Sequence, residues 1–195
     1  MGTSIAGLVA GVLVIAGLPQ TNTAEQPLLA VRIVLWNDNA VRADVAAAAR
    51  AEVARLYKLI DVDIVWVTEP AAVSRDLRYI KLTTRAPERD RSPNALGMVP
   101  AEPGKRGVFG YVFWRRIRLL SVKCAVDAEA LLPAVIAHEI GHMLLPEGSH
   151  STTGLMRGAW SVEHCRSAAT GNLHFERESA SLIRRGLLPP GAALE

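Results

Sequence analysis

The sequence has no basic stripe interleaved with aromatic residues. Aromatics make up 5% of the chain, and the net charge is only +3. The cations are scattered over Arg85 to Arg91, Lys105 to Arg106, Arg115 to Arg118 and Arg184 to Arg185. Nucleic-acid recognition needs basic residues gathered on one face, so no nucleic-acid partner is expected. Phe113-Trp114-Arg115-Arg116 alone approaches such a pattern, and it reads as the end of a strand. Internal repeats are also missing, which excludes a solenoid. What remains is an ordinary globular composition, 50% hydrophobic and 21% charged over 195 residues, enough for one domain with a sizeable core.

Charge is absent altogether from the first 24 residues. The run MGTSIAGLVAGVLVIAGLP, followed by TNTAEQ, is similar to the apolar core of a secretory signal. It lacks the basic n-region and a clean A-x-A site. Pro19 ends the run near the lower length limit for a membrane span. Residues 1–24 are therefore expected to be a signal segment, with a membrane anchor as the alternative. The protein is expected to be exported, either secreted or periplasmic, with no stable membrane insertion once the segment is removed. Cysteine is scarce as well: only Cys124 and Cys165 occur. In an exported protein such a pair often forms a disulfide. The loop closed would be about forty residues, worth roughly 3 to 4 kcal/mol in the chain-entropy account. Two buried free thiols are the alternative.

Along the chain, Leu29 to Trp36 is expected as a strand, then a turn at Asn37-Asp38-Asn39 and a helix over 41–60. The apolar stripe of that helix is Val45, Ala49, Val53, Leu56 and Ile60. Val62 to Val67 and the half-buried Leu77 to Leu82 are further strands. Residues 85–107 are mostly loop, with a short apolar island at Ala95 to Val99. A strand over 108–114 is expected to run on through Ile117 to Leu120. Asp127 caps a second long helix, which Pro146 stops. A last helix spans about 175–185, with Gly186 as its stop. Trp36, Trp66 and Trp114 fall in strands and are expected in the core. The fold class is α+β: a mixed, twisted sheet of about four to five strands, two long helices, and a small irregular C-terminal part with a final helix.

The chemistry lies in AHEIGHMLLPEGSHSTTGLMRGAW, residues 137–160, which holds three of the five histidines. His138 and His142 are four apart on a helix. At 100° per residue they are offset by about 40°, so both rings lie on one face. That spacing suits zinc, which takes imidazole nitrogens at about 2.0 to 2.1 Å. Glu139 is turned too far to coordinate, but it can reach a metal-held water and take its proton. Catalytic zinc usually has three protein ligands plus water. His150 is the nearest candidate for the third, since Pro146-Glu147-Gly148-Ser149 breaks the helix and Gly148 lets the chain turn back. From Ala130 to Leu145 the helix is apolar except for His138, Glu139 and His142. Burying those three is costly unless something satisfies them. Gly141 costs about 1 kcal/mol against Ala in a helix, so another segment is expected to pack closely there. The alternative is a core helix whose histidines are satisfied by hydrogen bonds.

HEIGH, a helix break, a glycine, a third histidine followed by serine, and a later methionine resemble the metzincin zinc peptidases, strongly over residues 137–160. The strand and helix order from residue 29 agrees with their upper subdomain in outline. The resemblance implies a zincin-like fold in a single catalytic domain over 28–195, its upper part 28–145 and its lower part 146–195. It implies one Zn2+ held by His138, His142 and His150, with Glu139 as general base and Met156 in the turn beneath the metal. Arg157, Gly158 and Ala159, on to Trp160, would wall the pocket beyond the scissile bond. Leu96, Gly97 and Met98 would belong to an edge strand that pairs with an extended substrate. The chain departs from the common spacing H-E-x-x-H-x-x-G-x-x-H. Leu145 takes the glycine position, and His150 follows His142 by eight residues instead of six, as in a divergent branch of short bacterial relatives. No tyrosine follows Met156 closely.

The expected activity is thus a zinc-dependent endopeptidase acting on a protein or peptide substrate, as a monomer. One rival is a gluzincin-type third ligand from Glu163, Glu176 or Glu178. The short break to His150 and the lack of a helical signal around Glu163 argue against it. A rival of another class is an inactive zinc-binding domain that serves as a protein-binding module. His164 and His174 are expected as surface or capping residues.

Overall fold

The computed structural model describes residues 29–68, 76–88, 92–102 and 104–189. The expected signal segment, 1–24, lies outside them. Five strands form one sheet: β1 (Leu29–Asn37), β2 (Val62–Trp66), β3 (Leu77–Thr83), β4 (Gly97–Met98) and β5 (Phe109–Phe113). Their order is β2-β1-β3-β5-β4. All neighbours run parallel except β4, which lies antiparallel to β5 at the edge. Five helices accompany them: α1 (Ala43–Lys58), α2 (Trp114–Cys124), α3 (Ala128–Leu144), α4 (Val162–Ala169) and α5 (Arg177–Leu187). The expected α+β fold with a mixed sheet is therefore present. Among the described residues no helix is long and apolar enough to cross a membrane.

The first crossover starts at Asn37. Its carboxamide oxygen accepts from the backbone N–H groups of Ala40 and Val41, and its NH2 donates to the Val41 carbonyl. This is a side-chain turn that replaces backbone pairing. α1 then buries Val45, Ala49, Val53 and Leu56, with Ile60 just beyond its end, as its periodicity demands. Tyr57 is also fully buried, and its hydroxyl donates to the Ala137 carbonyl in α3 at 3.0 Å.

α3 runs through the middle of the molecule. Its apolar residues surround it on all sides, and Leu131 to Gly141 are buried without interruption. A helix that is apolar all round belongs inside. The Asp127 side chain accepts from the Glu129 N–H and so caps it. Pro133 sits inside the helix, removing the one donor that would have reached the Glu129 carbonyl, and the helix continues past it.

Several expectations fail, each for a local reason. The strand of 108–114 does not run on to Leu120: Trp114–Cys124 is helix α2. Its buried residues Ile117, Ser121 and Cys124 recur every three to four positions, but exposed Leu119 and Val122 blur that period. The two long helices expected, α1 and α3, are present, and α2 is an additional helix of 11 residues. The segment around Glu163 is helical too, as α4, started by the Ser161 side chain, which accepts from the His164 N–H. The lack of a helical signal there therefore gives no argument about Glu163. Gly186 does not stop the last helix, which continues to Leu187. A β-carbon on Gly186 would stand 2.5 Å from the Arg106 guanidinium, which donates to the Gly186 carbonyl.

Trp36 is not a core residue. It is 46% exposed and packs against Tyr79 and Phe109. Trp66 and Trp114 are partly buried against the core. β3 is more deeply buried than its alternation suggests. Ile80 and Leu82 join the main core, while Leu77 and Tyr79 form a second small cluster with Val34. Cys124 at the end of α2 and Cys165 in α4 are joined by a disulfide, with Cα atoms 6.1 Å apart.

Candidate metal centre

Near the C-terminal end of α3, His138 and His142 point the same way, one turn apart. Their Nε2 atoms are 3.0 Å from each other. Leu145 and Pro146 end the helix, and Gly148 takes the left-handed conformation at φ 74°. The turn is tied internally: Ser149 donates to the Pro146 carbonyl and the His150 N–H to the Gly148 carbonyl. This longer turn brings His150 back under the helix. Its ring centroid lies 4.7 Å from that of His142 and 5.5 Å from that of His138. One ligating atom from each of the three histidines falls within 4.8 Å of the other two. Among the described residues, these are the His, Cys, Asp or Glu side chains grouped closely enough to hold a metal ion.

The protonation pattern suits a metal. His138 Nδ1 lies 2.7 Å from the Leu155 carbonyl oxygen, an acceptor only, so the proton is on Nδ1 and Nε2 keeps its lone pair. Burial pulls the His138 pKa down to about 4, against the Leu155 bond, which raises it. Burial, with His138 and His150 nearby, pulls His142 down to about 3. Both rings are thus neutral at ordinary pH and able to present lone pairs. With the ring of His150 they make a three-imidazole donor set, which zinc favours.

Glu139 is buried beside them. With nothing but burial acting on it, its carboxyl is pushed up to about 8. Its Oε2 is buried without a hydrogen-bond partner. Its other face lies against β4: a β-carbon on Gly97 would stand 2.5 Å from both Cδ and Oε1 of Glu139, and equally near the Tyr111 carbonyl. Gly97 therefore has to lack a side chain for the edge strand to cover this carboxylate.

Below the histidines, Met156 is fully buried against Gly141. That is the close-packed segment expected there. Phe175 approaches the same glycine and meets Tyr57 edge-on, centroids 4.9 Å apart. Beside His150, a β-carbon on Gly158 would stand 3.0 Å from Nδ1, so this residue serves the ring's packing.

The group opens on a cleft of about 700 Å³. Leu96, Gly97 and Met98 line one side, and Gly158, Ala159 and Trp160 another. Leu119 and Leu120 of α2 also reach it, which the sequence hid by suggesting a strand there. Arg116 pins the strand side, donating from Nη1 to the Ser92 and Ala95 carbonyls. Arg157 instead sends its guanidinium to within 3.4 Å of His164 Nε2. His164 Nδ1 is 2.8 Å from Ser161 Oγ, at the start of α4. His174 is exposed and gives its backbone carbonyl to the Leu155 N–H. Glu163 is exposed and accepts from Ser161.

No protein-family model matches this chain, and no curated protein matches it. Solved structures do. An archaemetzincin from Methanopyrus kandleri superposes with a TM-score of 0.55 at 12% identity, over 80% of this chain and 95% of that one. Metalloproteinase-II from Bacteroides fragilis superposes with a TM-score of 0.52 at 11% identity, over 84% of this chain. The match spans 54% of that longer protein. At such identities the likeness speaks for architecture: the chain has the zincin-like α+β fold of these metallopeptidases.

Proposed function

We propose that the protein is a zinc-dependent endopeptidase of metzincin type, with residues 28–195 as one catalytic unit. The observation that carries this reading is the convergence of His138, His142 and His150 beside a buried carboxylate, on an open cleft. The fold shared with an archaemetzincin and a metalloproteinase supports it.

In this reading the three histidines hold the ion through ring nitrogens, with His138 oriented by its bond to the Leu155 carbonyl. Zinc, when bound, would polarise the scissile carbonyl and lower the pKa of a water toward neutrality. Glu139 takes the proton of the attacking water. It then returns the proton to the leaving amine. Among the described residues β4 pairs only with β5, at the end of the sheet order. An extended peptide can add to that edge by backbone hydrogen bonds, which holds the scissile bond beside Glu139. Met156 forms the floor under the histidines. Gly158 and Ala159 shape the opposite wall, while Arg157 turns toward His164 of α4.

The disulfide and the expected leader together favour an oxidising compartment outside the cytoplasm.

Glu139→Gln separates an enzyme from a zinc-binding module. It should keep zinc by metal analysis and lose cleavage of a peptide library by about 10² to 10⁴-fold, the usual contribution of a general base. A native protein that holds zinc yet cleaves no peptide in the library would favour the binding module.

A further inference from the structure

His150 comes from a turn, and a turn needs something to hold its ring in place. The residue after it, Ser151, is fixed on two sides. Its N–H donates to the Met156 carbonyl, closing the segment 151–156 into a loop. Its hydroxyl lies 2.7 Å from Glu176 Oε1 and 2.6 Å from the Thr153 carbonyl oxygen, with one proton for the two acceptors. Glu176 is the N-cap residue of α5, yet its side chain makes no cap hydrogen bond to that helix. The carboxylate turns back to the loop instead, and its Oε2 accepts from Ser179 at 3.3 Å. Its charge sits at the positive end of the α5 dipole, where it is favoured.

The loop is shaped around this carboxylate. Gly154 has φ 62°, which excludes most side chains, and a β-carbon there would run into Glu176 Oε1 and the His174 carbonyl. The same stretch before α5 holds the loop a second time, through the bond from the Leu155 N–H to the His174 carbonyl at 2.8 Å. Leu155 in turn orients His138.

We propose that Glu176 is a positioning residue: its carboxylate braces the His150 turn through Ser151 and so tunes the affinity of the metal centre. This rests on the zinc reading above. It gives Glu176 a different role from that of a third ligand, since its oxygens are engaged by Ser151 and Ser179 rather than grouped with the histidines.

The test uses the whole protein with zinc and, separately, cobalt. Zinc affinity is measured by competition with a chromophoric chelator, and the ligand field by the cobalt absorption bands. Glu176→Ala should weaken zinc about tenfold, the lower end of what loss of an outer-shell partner does, and shift the cobalt bands. Glu176→Gln keeps an oxygen that accepts from Ser151, so it should recover most of the loss. Ser151→Ala should match Glu176→Ala, and the double variant should be no worse than either. Wild-type affinity and spectrum in Glu176→Ala would overturn the brace while leaving the zinc reading intact. So would additive losses in the double variant, or a Gln variant as weak as the Ala one. If Glu176→Ala does not fold, Ser151→Ala decides alone on the same readouts. A wild-type protein that takes up no zinc would sink both readings together.

Discussion

The sulfur of Met156 lies 2.5 Å from where a β-carbon on Gly141 would stand, so α3 and the turn beneath it touch through the one residue that has no side chain. Gly141 sits between His138 and His142 in sequence. The bare spot on the helix is therefore part of the metal centre's support.

Gly141→Ala tests this contact. On an exposed helix the change would stabilise by about 1 kcal/mol. Here it forces a buried methionine off its position, and overpacking typically costs about 1 to 3 kcal/mol. The net effect expected is a loss of stability, together with weaker zinc binding as the turn moves. Urea unfolding of the metal-free protein reads the first and chelator competition the second. A variant more stable than the parent would remove the packing account.

The identity of the third ligand is decided by metal content. His150→Ala should lose most of the bound zinc after gel filtration. Glu163→Ala should retain it, because that side chain is exposed on α4 and bonded to Ser161. The opposite pattern would transfer the role to the glutamate.

Gly97→Ala asks whether β4 positions Glu139, the proposed base. The added carbon would meet Glu139 Cδ and Oε1 and the Tyr111 backbone carbonyl, all at 2.5 Å. The backbone atom cannot step aside cheaply, so the edge strand or the carboxylate must shift. Displacement of a catalytic group by about 1 Å can cost about 10²-fold in rate. Zinc content should stay at the parent's level while kcat/KM falls. Unchanged kcat/KM would show that the contact does not position Glu139.

The disulfide joins α2, which reaches the cleft through Leu119 and Leu120, to α4, which follows the opposite wall. A loop of 41 residues is closed, worth about 3 to 4 kcal/mol in the chain-entropy account. Unfolding free energies from denaturant curves with and without a reductant should differ by that much, with the oxidised form the more stable. Coincident curves would show that the link constrains nothing.

The metal-site residues were legible because most of them are close in sequence. His138, Glu139 and His142 share one helix, and His150 lies just past its end, so spacing alone predicts their meeting. Gly141 could be read as a contact point without knowing its partner. β1 and β2 were legible from β-branched runs, β3 from its alternation and α1 from its stripe, whereas the two-residue β4 has no β-branched residue and was expected only from the family resemblance. α2 was not, because Leu119 and Val122 are apolar yet exposed, and Arg-Ile-Arg-Leu alternates like a strand. α4 is only eight residues long, too short to show a period. Trp36 sits in a strand, but it stays half-exposed beside Tyr79 and Phe109. Glu176 carries no local signal: it is 25 residues from Ser151, and only the folded chain brings the two together.

Leu155 holds the centre through its main chain on both sides. Its N–H reaches the His174 carbonyl, and its own carbonyl receives the His138 ring proton. Neither bond uses the Leu155 side chain, so ordinary substitutions at 155 leave both bonding groups in place. Only proline removes one of them, by deleting the N–H. The tautomer of the first histidine is thus sheltered from most point mutations at the very residue that sets it, whereas the brace on the third histidine can be lost by changing one serine or one glutamate. Drift in such a site would show first at His150, with His138 the last to lose its bearing.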